Sequence, residues 1–344
     1  MTFPEARRLA GLASSIAILT LVTAPPTLAQ DIIKWNHNWF GPKREVTRGT
    51  EVAAELVNKT GKGKVELTVH YGAALGPPKT VPEAIKSGGY EGGNMCAGYY
   101  PNKFPLLTVM ELPFLAPTKT ADRAKVDIAV LKHPAVQKEM KDRWGIFPWL
   151  ATTLPAYEFM GNKKIASTAD MKGVKMRISG LNAKALAKFG AVPANVPAPE
   201  TYTALERGTI DTIGFPYSYT FGAYRLYEVS KYFTEGMSMS GFMCFQGISL
   251  KMWNKLPPEV KNELEVQRAA SEKALVETYA AADKKWIPLF KSKLEVSQFP
   301  AAERKKLQGT AAEIWADWVK DQEKAGRPGK ALLEFVKAEV AKYK

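Results

Sequence analysis

Asp170-Met-Lys-Gly-Val-Lys-Met-Arg-Ile-Ser179 opens the stretch that decides the fold of this chain. It continues through Phe189-Gly-Ala-Val-Pro-Ala-Asn-Val-Pro-Ala-Pro-Glu-Thr-Tyr-Thr-Ala-Leu-Glu-Arg-Gly-Thr-Ile-Asp211 and closes at Pro216. Val174, Met176 and Ile178 alternate with Lys175 and Arg177, the two-residue period of a strand with one apolar face. A short helix follows and ends at Gly190. Pro199 and Glu200 suit the first turn of a second helix, which Gly208 closes. Ile210 to Ile213 reads as the next strand. A planar guanidinium on a rigid strand is a receptor for a carboxylate, because its fork matches two oxygens at once.

Upstream, residues 32–39 read as a first strand and Arg44 to Lys59 as a helix ended by Gly61. Val65, Leu67 and Val69 alternate as a second strand. Val81, Ala84 and Ile85 mark a short helix closed by Gly88, and a third strand ends near residues 95–97. This order predicts an α/β fold, a sheet covered by helices. Residues 101–118 are proline-rich and apolar, a packed irregular segment. Helices near 120–131 and 134–143 and a strand over 145–152 follow. Downstream, residues 242–250 form a strand, and Pro257-Pro258-Glu259 opens a helix of about 30 residues, long for a globular protein. Two more helical stretches, 301–325 and 329–342, finish the chain.

The first residues are set apart from this fold. Arg7 and Arg8 precede an apolar run over 9–22, and Thr27-Leu28-Ala29 has the small residues of a signal-peptidase site. The run falls short of the roughly 20 residues that span a bilayer. Residues 1–29 are therefore expected to be a cleaved signal peptide, with a mature periplasmic chain not inserted in the membrane. Loss of Arg7, Arg8 and Glu5 lowers the formal charge from +14 to +13. The lysines are scattered among glutamates with no basic, aromatic-rich cluster, so no nucleic-acid partner is expected. Of the two cysteines, Cys96 and Cys244, the residues alone allow either one disulfide or two buried thiols.

Nothing points to catalysis. His37, His70 and His133 share no metal-ligand spacing. Gly236-Met-Ser238-Met-Ser240 lacks the final glycine of a nucleophile elbow. Gly61-Lys-Gly63 precedes a strand, not a helix, and lacks the third glycine of a dinucleotide fingerprint. No enzyme activity, cofactor or metal is expected.

Taken together, the segments resemble the periplasmic substrate-binding subunit of TRAP transporters, the DctP-like family. The resemblance runs through Glu55-Leu-Val-Asn-Lys-Thr-Gly61, Gly72-Ala-Ala-Leu-Gly76 and Glu111-Leu-Pro-Phe-Leu115. It continues through the 170–216 stretch, Tyr227-Glu-Val-Ser-Lys-Tyr232 and Trp253-Asn-Lys-Leu-Pro257. It implies a two-lobe α/β binding protein with a ligand cleft between the lobes and a long helix spanning both. Lobe I would hold 31–153 and 242–282, and lobe II 154–241 and 283–344. The implied function is capture of a small organic acid for delivery to TRAP membrane permease subunits. A ligand-sensing protein docking on a signalling receptor is the alternative, and a periplasmic hydrolase a remote one.

In the family the arginine of the Lys-x-Arg strand binds the ligand carboxylate, which here is Arg177. Lys163 stands where some members place a second cationic contact. Many members carry a polar residue before the proline after the second strand; here Phe215 stands there. An aromatic wall favours an apolar or aromatic ligand body over a sugar acid. By position at strand ends and crossings, Asn38, Trp39, Met95, Tyr99, Tyr100, Tyr157 and Tyr217 join the candidate ligand-binding set. Tyr99 and Tyr100 lead this positional set, because adjacent tyrosines at a strand end must point different ways.

Overall fold

The structure is a computed structural model that describes residue 1, residues 31–178 and residues 180–343. The expected signal segment and its cleavage site lie outside the described residues, Met1 aside. In chain order the strands are β1 (Ile33–Asn38), β2 (Val65–His70), β3 (Gly92–Cys96), β4 (Ile146–Thr152), β5 (Tyr157–Gly161) and β6 (Lys175–Arg177). Then come β7 (Val192–Ala194), β8 (Thr212–Pro216), β9 (Tyr232–Met239), β10 (Cys244–Ser249) and β11 (Glu295–Gln298). They form two sheets, ordered β2-β1-β3-β10-β4 and β11-β9-β5-β8-β6-β7.

β1 runs parallel to β2 and β3, and β10 inserts antiparallel between β3 and β4. The chain passes from the first sheet to the second over 153–156 and returns over 240–243. It leaves again along the helix Arg268–Lys293. Buried side chains tie these crossings together. Arg123 Nη2 donates to the carbonyls of Gly241 and Phe242 at 3.0 and 3.1 Å. Tyr279 donates its hydroxyl to Thr153 O at 2.9 Å, and Thr153 Oγ1 donates to Asp127 Oδ2 at 2.8 Å. A buried carbonyl left without a donor is costly, so these bonds hold irregular backbone where no ladder serves it.

The expected long helix is interrupted. Helices Pro258–Val266 and Arg268–Lys293 meet at Gln267, whose ψ of −1° departs from the helical value while its N–H still bonds Glu263 O at 2.9 Å. The break serves two cores. Val260 and Leu264 pack with Trp35 and Val57, whereas Leu275, Tyr279 and Ala282 join the larger core beside the cleft. The 26 residues of the second helix span about 39 Å. It touches the helix Arg48–Thr60 on one side and the short helix Tyr219–Ala223 on the other.

Strands β5, β7, β9 and β11 have no counterpart among the strands expected from the sequence. In β9 a register irregularity opposite Tyr157–Phe159, with Gly236 at φ +93°, breaks the two-residue alternation that marks a strand. The C-terminal helix Gly329–Ala341 packs against Thr120–Lys132, beside the first sheet. Phe335 lies 4.8 Å from the His133 ring. The last helix therefore lies against a helix beside the first sheet, while Ala311–Lys324 before it touches Asn182–Ala187 beside the second.

Candidate functional site

The ends of β1, β3, β6, β8 and β10 meet around one cavity of about 40 Å³. This is room for only a few waters, so a larger guest enters only if the walls part. Arg177 reaches it from the last position of β6 and is fully buried. Its Nε donates to Val196 O at 2.9 Å and its Nη1 to Gly214 O at 3.1 Å. The guanidinium carbon lies 4.0 Å from the centre of the Phe215 ring. Nη2 has no partner. The two carbonyls and the ring orient the group and leave one nitrogen for a guest.

Other donors around the cavity are also unpaired. Trp39 Nε1, Asn94 Nδ2, and Nε and Nη1 of Arg44 are buried without a partner. No aspartate or glutamate is among the described lining residues. A largely buried space rich in N–H donors, with no carboxylate among its described lining residues, suits an acceptor-rich anion, since a buried donor left unmade costs about 1–3 kcal/mol. Aromatic side chains supply the remaining wall. Phe242 stands edge-on to Tyr99 at 5.5 Å and to Tyr157 at 6.1 Å. Tyr219 stacks on Tyr279 at 4.7 Å, and burial pushes its hydroxyl up to about 12, so it stays protonated. Tyr99 also accepts the Ala198 N–H at 3.1 Å, a bond from the first sheet's side to the second's.

Of the ten candidate residues, Arg177, Phe215, Tyr99, Tyr157 and Trp39 line this cavity. The other five do not, for reasons of geometry. Asn94 and Cys96 face the cavity, so Met95 between them points to the opposite face and is core. The same alternation turns Asn38 away from Trp39's side, where its Nδ2 donates to Gly76 O at 3.0 Å. Tyr100 turns from Tyr99 and packs edge-on to Phe104 at 5.4 Å. Tyr217 donates to Glu235 Oε1 at 2.6 Å and stacks on Phe233. Lys163 is exposed beyond the far end of β5 from Tyr157, about 20 Å along the strand direction.

Several lining residues, Asn94 and Tyr219 among them, are not read from the sequence, and two lining features stand out. One is Arg44, in the loop after β1, which the pattern reading takes as the first residue of a helix; the α-helix begins at Arg48. The other is the disulfide. Cys96 and Cys244 face each other across the β3–β10 pair and are bonded, which settles the open alternative against free thiols. Their signal is weak because the partners are 148 residues apart.

The model of the bacterial extracellular solute-binding proteins, family 7, matches residues 35–322. The monocarboxylate 2-oxoacid-binding periplasmic protein of Nostoc is 27% identical over 259 residues, 72% of this chain and 69% of its own length. The C4-dicarboxylate-binding periplasmic protein DctP of Rhodobacter capsulatus is 28% identical over 275 residues, 77% of this chain and 79% of its own. The benzoate-bound TRAP solute-binding protein of Rhodoferax ferrireducens superposes with a TM-score of 0.80 at 23% identity, covering 90% of this chain and 98% of that one.

Proposed function

Because the chain belongs to family 7 of the bacterial extracellular solute-binding proteins, we propose that it captures a small organic acid on Arg177 and delivers it to a TRAP-type membrane permease. The family and fold are those of solute receptors. The observation that carries the ligand class is Arg177 itself: buried, fixed by two carbonyls and a ring, and left with Nη2 unpartnered in a cavity without carboxylates. Relatives named for 2-oxoacids and C4-dicarboxylates, and a structural neighbour holding benzoate, support the same class. Removal of residues 1–29 on export places the receptor in the periplasm in this reading, and no helix among the described residues is long and apolar enough to cross a membrane.

The test is a thermal-shift screen of the purified mature protein against a carboxylate library, followed by calorimetry on the hits. An acid at about 100 times its dissociation constant adds roughly 2.7 kcal/mol to native stability. Arg177→Lys should fold and lose most of this gain, because one ammonium cannot serve Val196 O, Gly214 O and a ligand oxygen in the same fork. Truncating one partner of a buried charge pair costs on the order of 2–5 kcal/mol. Equal affinities of wild type and Arg177→Lys would remove Arg177 from the site.

A further inference from the structure

A carboxylate on Arg177 leaves the other guanidinium of the cavity unexplained. Arg44 stands in the loop between β1 and the helix Arg48–Thr60, and its Cζ lies 4.3 Å from the Tyr224 ring centre. Tyr224 runs nearly parallel to Phe215, at 6.2 Å and 22°, and Phe215 carries Arg177 at 4.0 Å. Each ring of this aromatic pair thus carries one of two cations that border the same space. The rings stabilise each cation in place but neutralise neither. Arg44 Nε and Nη1, like Arg177 Nη2, are buried without a hydrogen-bond partner, and no carboxylate is among the described lining residues. A guest with one anionic group balances one of these charges and leaves the other facing a desolvated cavity.

We propose that Arg44 is a specificity-determining residue that takes the second anionic group of a flat, dianionic acid whose first carboxylate sits on Arg177. The proposal rests on the reading of Arg177 above. Trp39 Nε1 and Asn94 Nδ2 supply two further, neutral donors around the same cavity. The narrow, aromatic-lined space selects a planar body over a bulky one.

The alternative for Arg44 is a structural clasp on Tyr224 that never meets ligand, and calorimetry on matched acids separates the two. The probes are benzoate and the 1,3- and 1,4-benzenedicarboxylates, titrated into wild type, Arg44→Gln and Arg44→Lys. The wild type should bind at least one dicarboxylate about tenfold or more tighter than benzoate, and Arg44→Gln should weaken that dicarboxylate about 30-fold or more. Benzoate affinity should change by less than about threefold, and Arg44→Lys should recover part of the loss by restoring charge without the fork. A wild type that prefers benzoate, or an Arg44→Gln loss equal for both acids, overturns the proposal and leaves Arg44 as a clasp. If Arg44→Gln does not fold, the dicarboxylate-to-benzoate ratio of Arg44→Lys decides: an unchanged ratio overturns the proposal. A wild type that binds none of these acids overturns this proposal alone. Only a failed carboxylate screen, or an Arg177→Lys variant with undiminished affinity, sinks the broader organic-acid reading.

Discussion

Arg177 is held from two sides and over one face before any ligand arrives, and this bears on what Phe215 does. One face of the phenylalanine is already covered by the guanidinium at 4.0 Å, and Tyr224 lies nearly parallel beside it. Orienting the arginine is the role these contacts support. A cation–π contact of this kind contributes about 0.5–2 kcal/mol. Phe215→Leu keeps an apolar side chain but loses the π face. It should weaken every acid by about 2- to 30-fold and leave the ratio between a hydroxylated acid and its deoxy counterpart unchanged. Calorimetry on such a matched pair checks this; a changed ratio at constant mean affinity would make Phe215 a ligand wall after all.

At the scale of elements, the cavity depends on which phase of each strand faces it. β3 presents Asn94 and Cys96 and hides Met95, and the disulfide pins that phase to β10. The short helix Tyr219–Ala223 is set by its packing on Arg268–Lys293. A Cβ on Gly222 would come within 2.2 Å of the Trp286 ring, which stacks on Phe290 and donates Nε1 to Glu45 Oε1 at 3.3 Å. The ring has little freedom to yield. Gly222→Ala should therefore destabilise the protein by about 1–3 kcal/mol, the usual cost of overpacking. Because Tyr219 on the same helix lines the cavity, acid affinity should fall with it. Urea unfolding and calorimetry measure the two effects; a variant as stable as wild type would show that Trp286 moves freely.

Over the whole molecule, stability should depend on pH through buried acids away from the cavity. Glu111 is 1% exposed with both oxygens unpartnered, and burial raises its pKa to about 8, with Arg123 opposing the shift. Burial likewise raises Glu139 and Glu158 to about 7. Between the ordinary carboxylate value of 4.5 and about 8, the folded state holds a proton on Glu111 that the unfolded state has lost. Stability therefore falls as pH rises through that window, by up to about 1.4 kcal/mol per pH unit for one such group. His37, lowered to about 4 by burial, acts in the opposite sense, but only up to about its ordinary 6.5. Melting temperatures should drop from about pH 6.5 to about pH 8, and Glu111→Gln should drop less steeply. Parallel curves would mean that Glu111 is ionised in the folded state at neutral pH.

What the chain determined by itself was local. Alternation in 174–178, glycines that close helices at positive φ (Gly88 at +81°, Gly208 at +68°), and helical spacing after Pro258 all act within a few residues. They are written in neighbouring side chains, as is the Lys-x-Arg pattern that singles out Arg177. Tertiary structure decided what depends on partners far along the chain. It joined Cys96 to Cys244, brought Arg44 beside Tyr224, broke the long helix at Gln267 and made strands of β9 and β11. It also chose which of two neighbours faces the cavity, Tyr99 over Tyr100 and Trp39 over Asn38. A strand's period tells that adjacent residues point apart, but which side is the cavity depends on what the opposite sheet places there.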